Sequence, residues 1–190
     1  MADAITKQIE ALAQLDALKK EKESMKKLRE ANMLYNLQAA RKEHDANKKQ
    51  LKNDLKKSSA FPNKIRSQNT EEVKQCIRDC ETLNLTLYLS EIVGAIVETS
   101  YKVSDVPNIV KMCISLHRRY PNDEFTGPLL SGLRTCLMLH PPEDDKEAGR
   151  RKRIQIRFII ELYQTGVCTD DDFLVQLLRS LTGTTGKTKG

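Results

Sequence analysis

Few side chains in this sequence are able to do chemistry, and they are scattered. Cys113 and His117 stand four apart in a helical pattern, close enough to meet as a Cys–His dyad or as half a metal site. Both fall on an apolar stripe with Val110, Leu116 and Tyr120, which reads more simply as a core cysteine beside a hydrogen-bonded core histidine. Cys76 and Cys80 share the same spacing, but no second Cys/His pair accompanies them to complete a zinc site. Gly183 to Thr188 has some of the letters of a phosphate-binding loop. That motif needs four residues between its glycines, a strand before it and a helix after it. Here two residues intervene and a helix precedes.

The remaining candidate is basic. Arg150, Arg151, Lys152 and Arg153, with Arg157 a turn later, form a cluster in an otherwise balanced stretch. Arg150, Arg153, Arg157 and Glu161 share one polar helix stripe. The cluster suits contact with RNA backbone or an acidic partner segment, or a solvated face partly neutralised by the acidic Asp144-Asp145 and Glu147 run. No aromatic residue interleaves with it, so stacking of single-stranded bases is unsupported. No paired carboxylates, Ser/His/Asp set or Gly-rich turn before a helix occurs in a fitting context. The expectation is a protein that is not an enzyme, with no catalytic residue, cofactor or metal.

The elements that must position these residues read as helices throughout. Hydrophobic residues make up 39% and aromatics 5%, and eight Gly and six Pro are too few for a strand-and-turn fold of 190 residues. Residues 3–57 have high helix propensity and contain no Gly or Pro. Their apolar pattern is thin: Leu18, Met25, Leu28 and Tyr35 fit heptad spacing, but the register fails at Asn32 and in the lysine-rich stretch 47–57. A long solvated helix with pairs such as Glu23–Lys27 is expected, with a coiled coil or an RNA-touching arm as alternatives.

The pattern changes after Phe61-Pro62. Helices are expected over about 70–80, then as a pair within 83–120, then over about 127–139, 150–164 and 170–181. Ser104 and Asp105 are candidate caps for the second helix of the pair, with Pro107 in its first turn. Pro121 breaks the chain, Leu130, Leu133, Cys136 and Leu137 face inward, and Pro141 to Glu147 is a polar loop. Gly166 ends a helix, and Thr169 with Asp172 forms a capping-box-like start for the last one. Helix starts fall about every twenty residues, the period of HEAT-type stacked helix pairs. The expected organisation is therefore all-α: a basic helical extension over 1–59, a helical repeat module over 60–182, and a disordered tail over 183–190.

Charge follows the same division. Residues 1–60 hold 14 Lys+Arg against 9 Asp+Glu, and residues 61–182 hold 16 against 17. A nearly neutral body is a poor general phosphate binder. No apolar run reaches membrane-spanning length, and the first twenty residues lack a signal-peptide core. Five cysteines, four of them on apolar helix faces, read as reduced packing residues of an intracellular protein, with Cys168 in a loop as the accessible one.

A family resemblance sharpens this. Leu83-Asn84-Leu85, Tyr88-Leu89, Glu91-Ile92-Val93, Ala95-Ile96-Val97-Glu98, Lys102, Ser104-Asp105-Val106, Cys113, Leu116-His117 and Arg119-Tyr120 occur in the order found in one family. Lys56-Lys57 and Ala60-Phe61 precede them, and Arg157-Phe158-Ile159, Glu161-Leu162, Gly166 and Thr169-Asp170 follow. Residues 56–180 thus resemble the first "middle domain of initiation factor 4G" module of the regulator of nonsense transcripts 2 family. The resemblance implies a HEAT-like helical scaffold of nonsense-mediated mRNA decay. It implies the RNA helicase, the exon-junction adaptor and the decay kinase as partners, no membrane, at most weak RNA contact, and a cytoplasmic or perinuclear location. Within that family the first module is mainly structural and kinase-facing. The alternative is an RNA-binding module of a translation-initiation or cap-binding complex. Six helices between Thr70 and Leu181 are fewer than such modules have, and the last shows an apolar face, so a truncated or partial module is expected, or else a partner that covers the open end.

Overall fold

Sequences of this composition bury themselves by packing amphipathic helices, and the computed structural model does so. It describes residues 2–35, 51–120, 123–138 and 146–182. The expected chain break at Pro121, residues 47–50 of the lysine-rich stretch, residues 141–145 of the polar loop, and the tail 183–190 lie outside the described residues. Eight α-helices occur among the described residues: α1 (Ala2–Tyr35), α2 (Leu55–Arg66), α3 (Thr70–Thr82), α4 (Leu89–Glu98), α5 (Val106–Arg119), α6 (Thr126–Met138), α7 (Lys146–Gln164) and α8 (Asp171–Thr182). A single 3-10 turn, Thr86–Tyr88, leads into α4.

Contacts run between alternate helices. α3 packs on α5 and α5 on α7, forming one layer; α2 packs on α4 and α4 on α6, forming the other. The layers meet through α2 with α3 and α6 with α7. This is a HEAT-like stack in which each helix pair leans on the next. One continuous core results, with Phe61, Leu85, Ile92, Ile96, Ile109, Leu116, Phe125, Leu133 and Phe173 fully inside.

α2 crosses the expected division at residue 59/60. Its start is capped by Asp54, whose Oδ1 accepts from Lys57 N at 3.0 Å. Pro62 lies inside the helix and is buried, so it lacks a backbone donor there without ending the helix. The chain ahead of α2 is pinned by a short parallel bridge: Lys52 N donates to Thr82 O at 2.9 Å, and Asn84 N to Lys52 O at 3.0 Å.

Some local expectations shift by a residue or a turn. Asp105 holds the N-cap of α5, but its backbone is α-like (φ −91°, ψ −20°) and its side chain makes no capping bond. Its carboxylate instead accepts from Thr70 Oγ1 at 3.4 Å on α3. Asp170, not Thr169, caps α8, accepting from Phe173 N at 2.9 Å. Its other oxygen takes Arg134 Nη2 at 2.9 Å, which ties α6 to the start of α8. On α6, Leu129 rather than Leu130 is fully buried with Leu133 and Leu137, while Cys136 stays half-buried.

The arm does more than float. α1 lies against α5 and α7, outside the layer they share. Asn32, where the heptad register fails, is completely buried. Its Nδ2 donates to Thr165 O at 2.7 Å, and its Oδ1 accepts from Arg118 Nε at 2.6 Å. Arg29 donates to Tyr163 O and lies over the Tyr163 ring at 4.6 Å. The register fails there because the helix turns its seam onto its own body, where a polar side chain finds partners.

Candidate docking surfaces

Cys113 and His117 are both buried. His117 Nδ1 shares a hydrogen bond with Thr126 Oγ1 at 2.9 Å, joining α5 to α6. Burial pushes the Cys113 thiol well above its ordinary range. Core positions with a raised thiol do not make a nucleophile. Cys76 and Cys80 are buried likewise, with Cys76 pushed up by burial to about 12. Among the described residues no group of three or more His, Cys, Asp or Glu is placed to hold a metal ion. Cys168, expected to be accessible, is 1% exposed: it follows Gly166, where the chain folds back and Cys168 N bonds Leu162 O at 3.1 Å.

The basic cluster sits on α7, whose described part begins at Lys146. Arg150 is therefore in its second turn, with Glu147 ahead of it toward the positive end of the helix dipole. Arg150 Nη1 lies 3.4 Å from Glu147 Oε1, and Arg157 Nε 2.8 Å from Glu161 Oε1. The five cations face more than one surface. Arg151 and Lys152 line a cleft of about 310 Å³ between the end of α4, α6 and α7, beside Tyr101, Leu133 and Phe158. Arg157 faces a different groove, next to α1. Arg150 and Arg153 are exposed.

That second groove, of about 1200 Å³, lies between α1 and the α5–α7 layer. Lys22 and Lys26 of α1, Lys111 of α5 and Arg157 of α7 line it together with Leu18, Met25 and Pro107. The sequence reading missed Lys22, Lys26 and Lys111 as a group. The four-residue spacing of the first two was visible, but only the docking of α1 brings Lys111 to them.

Two layers of paired helices, no assembled reacting groups among the described residues, and grooves between the layers and their covering helix define a helical-repeat module. Comparison with known proteins narrows this. The MIF4G domain family model matches residues 48–188. The chain belongs to the MIF4G domain family. It is 30% identical over 178 residues to regulator of nonsense transcripts UPF2 of Arabidopsis thaliana, covering 91% of this chain and 14% of that protein. It is 31% identical over 131 residues to human regulator of nonsense transcripts 2, covering 69% of this chain and 10% of that protein. It is 30% identical over 153 residues to nonsense-mediated mRNA decay protein 2 of Schizosaccharomyces pombe, covering 67% and 14%. Among solved structures, the first MIF4G domain of human nonsense mediated decay factor UPF2 matches with a TM-score of 0.64 at 24% identity, over 90% of this chain and 55% of that one. The chain thus spans 10–14% of the length of these curated relatives.

Proposed function

We propose that the chain is a docking module of a nonsense-mediated mRNA decay scaffold, acting in the cytoplasm through contact with other decay factors rather than through catalysis. The observation that carries this reading is the MIF4G match over residues 48–188 together with relatives in a plant, an animal and a yeast that are all named for decay of nonsense transcripts. Physical support comes from the stack itself. Its helices are held by a continuous core, so their outer faces are fixed ridges and grooves that suit protein docking. The RNA helicase, the exon-junction adaptor and the decay kinase are the partners that the resemblance offers. Arg150, Arg151, Lys152, Arg153 and Arg157 are proposed as contacts to acidic partner segments.

The test is recovery of an affinity-tagged chain from nuclease-treated cell extract. Enrichment of decay proteins is expected. Recovery of translation-initiation factors alone, or loss of every partner on nuclease treatment, contradicts the reading. Arg151→Glu combined with Arg153→Glu separates the RNA-binding alternative: RNA affinity should stay weak and nearly unchanged, whereas a steep loss with a shallower salt dependence supports that alternative.

A further inference from the structure

Lys22 and Lys26 stand four apart on α1 and so share a face, with Leu18 and Met25 on the adjoining strip. Pro107 and Lys111, also four apart, face them from α5, and Arg157 comes from α7. Three helices thus place cations around an apolar floor. Leu18 is 61% exposed there although it belongs to a helix that docks nearby. Three carboxylates line the groove against six cations: Glu23 lies 3.6 Å from Lys27, Glu161 lies 2.8 Å from Arg157, and Glu21 is the third. Among the described residues the ion pairs involve other cations than Lys22, Lys26 and Lys111. The groove therefore keeps a positive rim over an unfilled apolar centre.

We propose that this groove binds an acidic amphipathic helix of a partner protein. The proposal rests on reading the chain as a docking module and names the surface and the chemistry of its occupant. Charge complementarity selects an acidic ligand. The apolar floor selects one with apolar anchors at helical spacing, the pattern by which a helix lies in a groove. Nucleic acid satisfies the rim but not the floor, and the Tyr163 ring at the docked end is already covered by Arg29, at 4.6 Å. From Leu18 to Arg29 the wall runs roughly 16 Å, which accommodates about three helical turns of ligand.

The test uses the purified full chain and fluorescence anisotropy with a fluorescein-labelled peptide of about four helical turns. The peptide carries leucines on one stripe and glutamates elsewhere. The comparators are a peptide of the same composition with its leucines scattered, and a labelled oligouridine. The striped peptide should bind best, and its affinity should fall by about tenfold or more in Lys22→Glu with Lys26→Glu. Lys111→Glu, on a separate helix, should weaken it severalfold, and so should Leu18→Gln. These side chains are exposed or only partly covered, so unchanged far-ultraviolet circular dichroism confirms the fold of each variant. Lys111→Glu keeps the test valid if the double variant loosens α1. Affinity unchanged by both charge reversals overturns the proposal, as does equal binding of the scattered peptide. Oligouridine binding tighter than the peptide, and lost in the same variants, also overturns it and makes the groove a nucleic-acid site. No decay factor enters this measurement, so its failure leaves the co-purification result standing, and the converse holds.

Discussion

Cys76, Cys80, Cys113 and Cys168 are held inside the stack, and burial raises every one of their thiols. The thiolate is the reactive form, so these positions are doubly protected, by access and by protonation. Cys136 is half-buried on α6. A thiol reagent at neutral pH should label Cys136 first and the other four only after unfolding; labelling of Cys168 as fast as Cys136 contradicts the burial seen at the α7–α8 turn. The sign of the pH effect follows. A thiol raised from 9.0 to about 12, as at Cys76, keeps its proton more firmly when folded. Its contribution to stability is complete below pH 9 and declines as the pH climbs from there toward 12, which urea midpoints taken on either side of pH 9 will show. Asp79 presents a second residue-level case. It is 8% exposed and accepts from Lys64 Nζ at 3.0 Å and from Gln75 Nε2 at 2.8 Å, joining α3 to α2. Asp79→Ala strands a half-covered ammonium and a carboxamide, and should cost about 1–3 kcal/mol by chemical denaturation.

α1 and the turn between α7 and α8 depend on each other. Gly166 has φ +77°, and a Cβ built there would sit 2.8 Å from Arg29 O. Gly166→Ala therefore pays both the left-handed backbone penalty, about 1–2 kcal/mol, and a clash with the arm. The arm should loosen, and trypsin should cut within α1 about tenfold faster while the core helices remain protected. An unchanged cleavage rate contradicts the latch formed by Arg29 and Asn32. Helices with a strong apolar stripe were legible in the sequence: Ile109, Val110, Cys113 and Leu116 mark the buried side of α5 as the spacing requires. Gly166 was legible as a helix end. The cap of α8 was misassigned by one residue: Thr169 and Asp170 are adjacent cap types, and Asp170 is the one that accepts from Phe173 N while also taking Arg134. The docking of α1 was not legible. Asn32 looks like a break in a coiled-coil seam until its partners Thr165 and Arg118, far away in sequence, are brought to it.

At the scale of the molecule, the stack divides labour between its inside and its outside. Inside, one core links α2 to α8. Outside, Arg151 and Lys152 line one cleft and Arg157 another, so these cations face more than one surface. The exposed Val175 and Leu178 on α8 give the stack an apolar end as well. Under the proposed function such an object would hold its partners in fixed relation. The most direct measurement is the half-life of a reporter message with a premature stop codon, compared with its stop-free twin, after depletion of the protein that carries this chain. A selective lengthening for the premature-stop reporter, reversed by re-expression, is predicted. Equal half-lives for both reporters before and after depletion, or lengthening of both alike, would contradict the account.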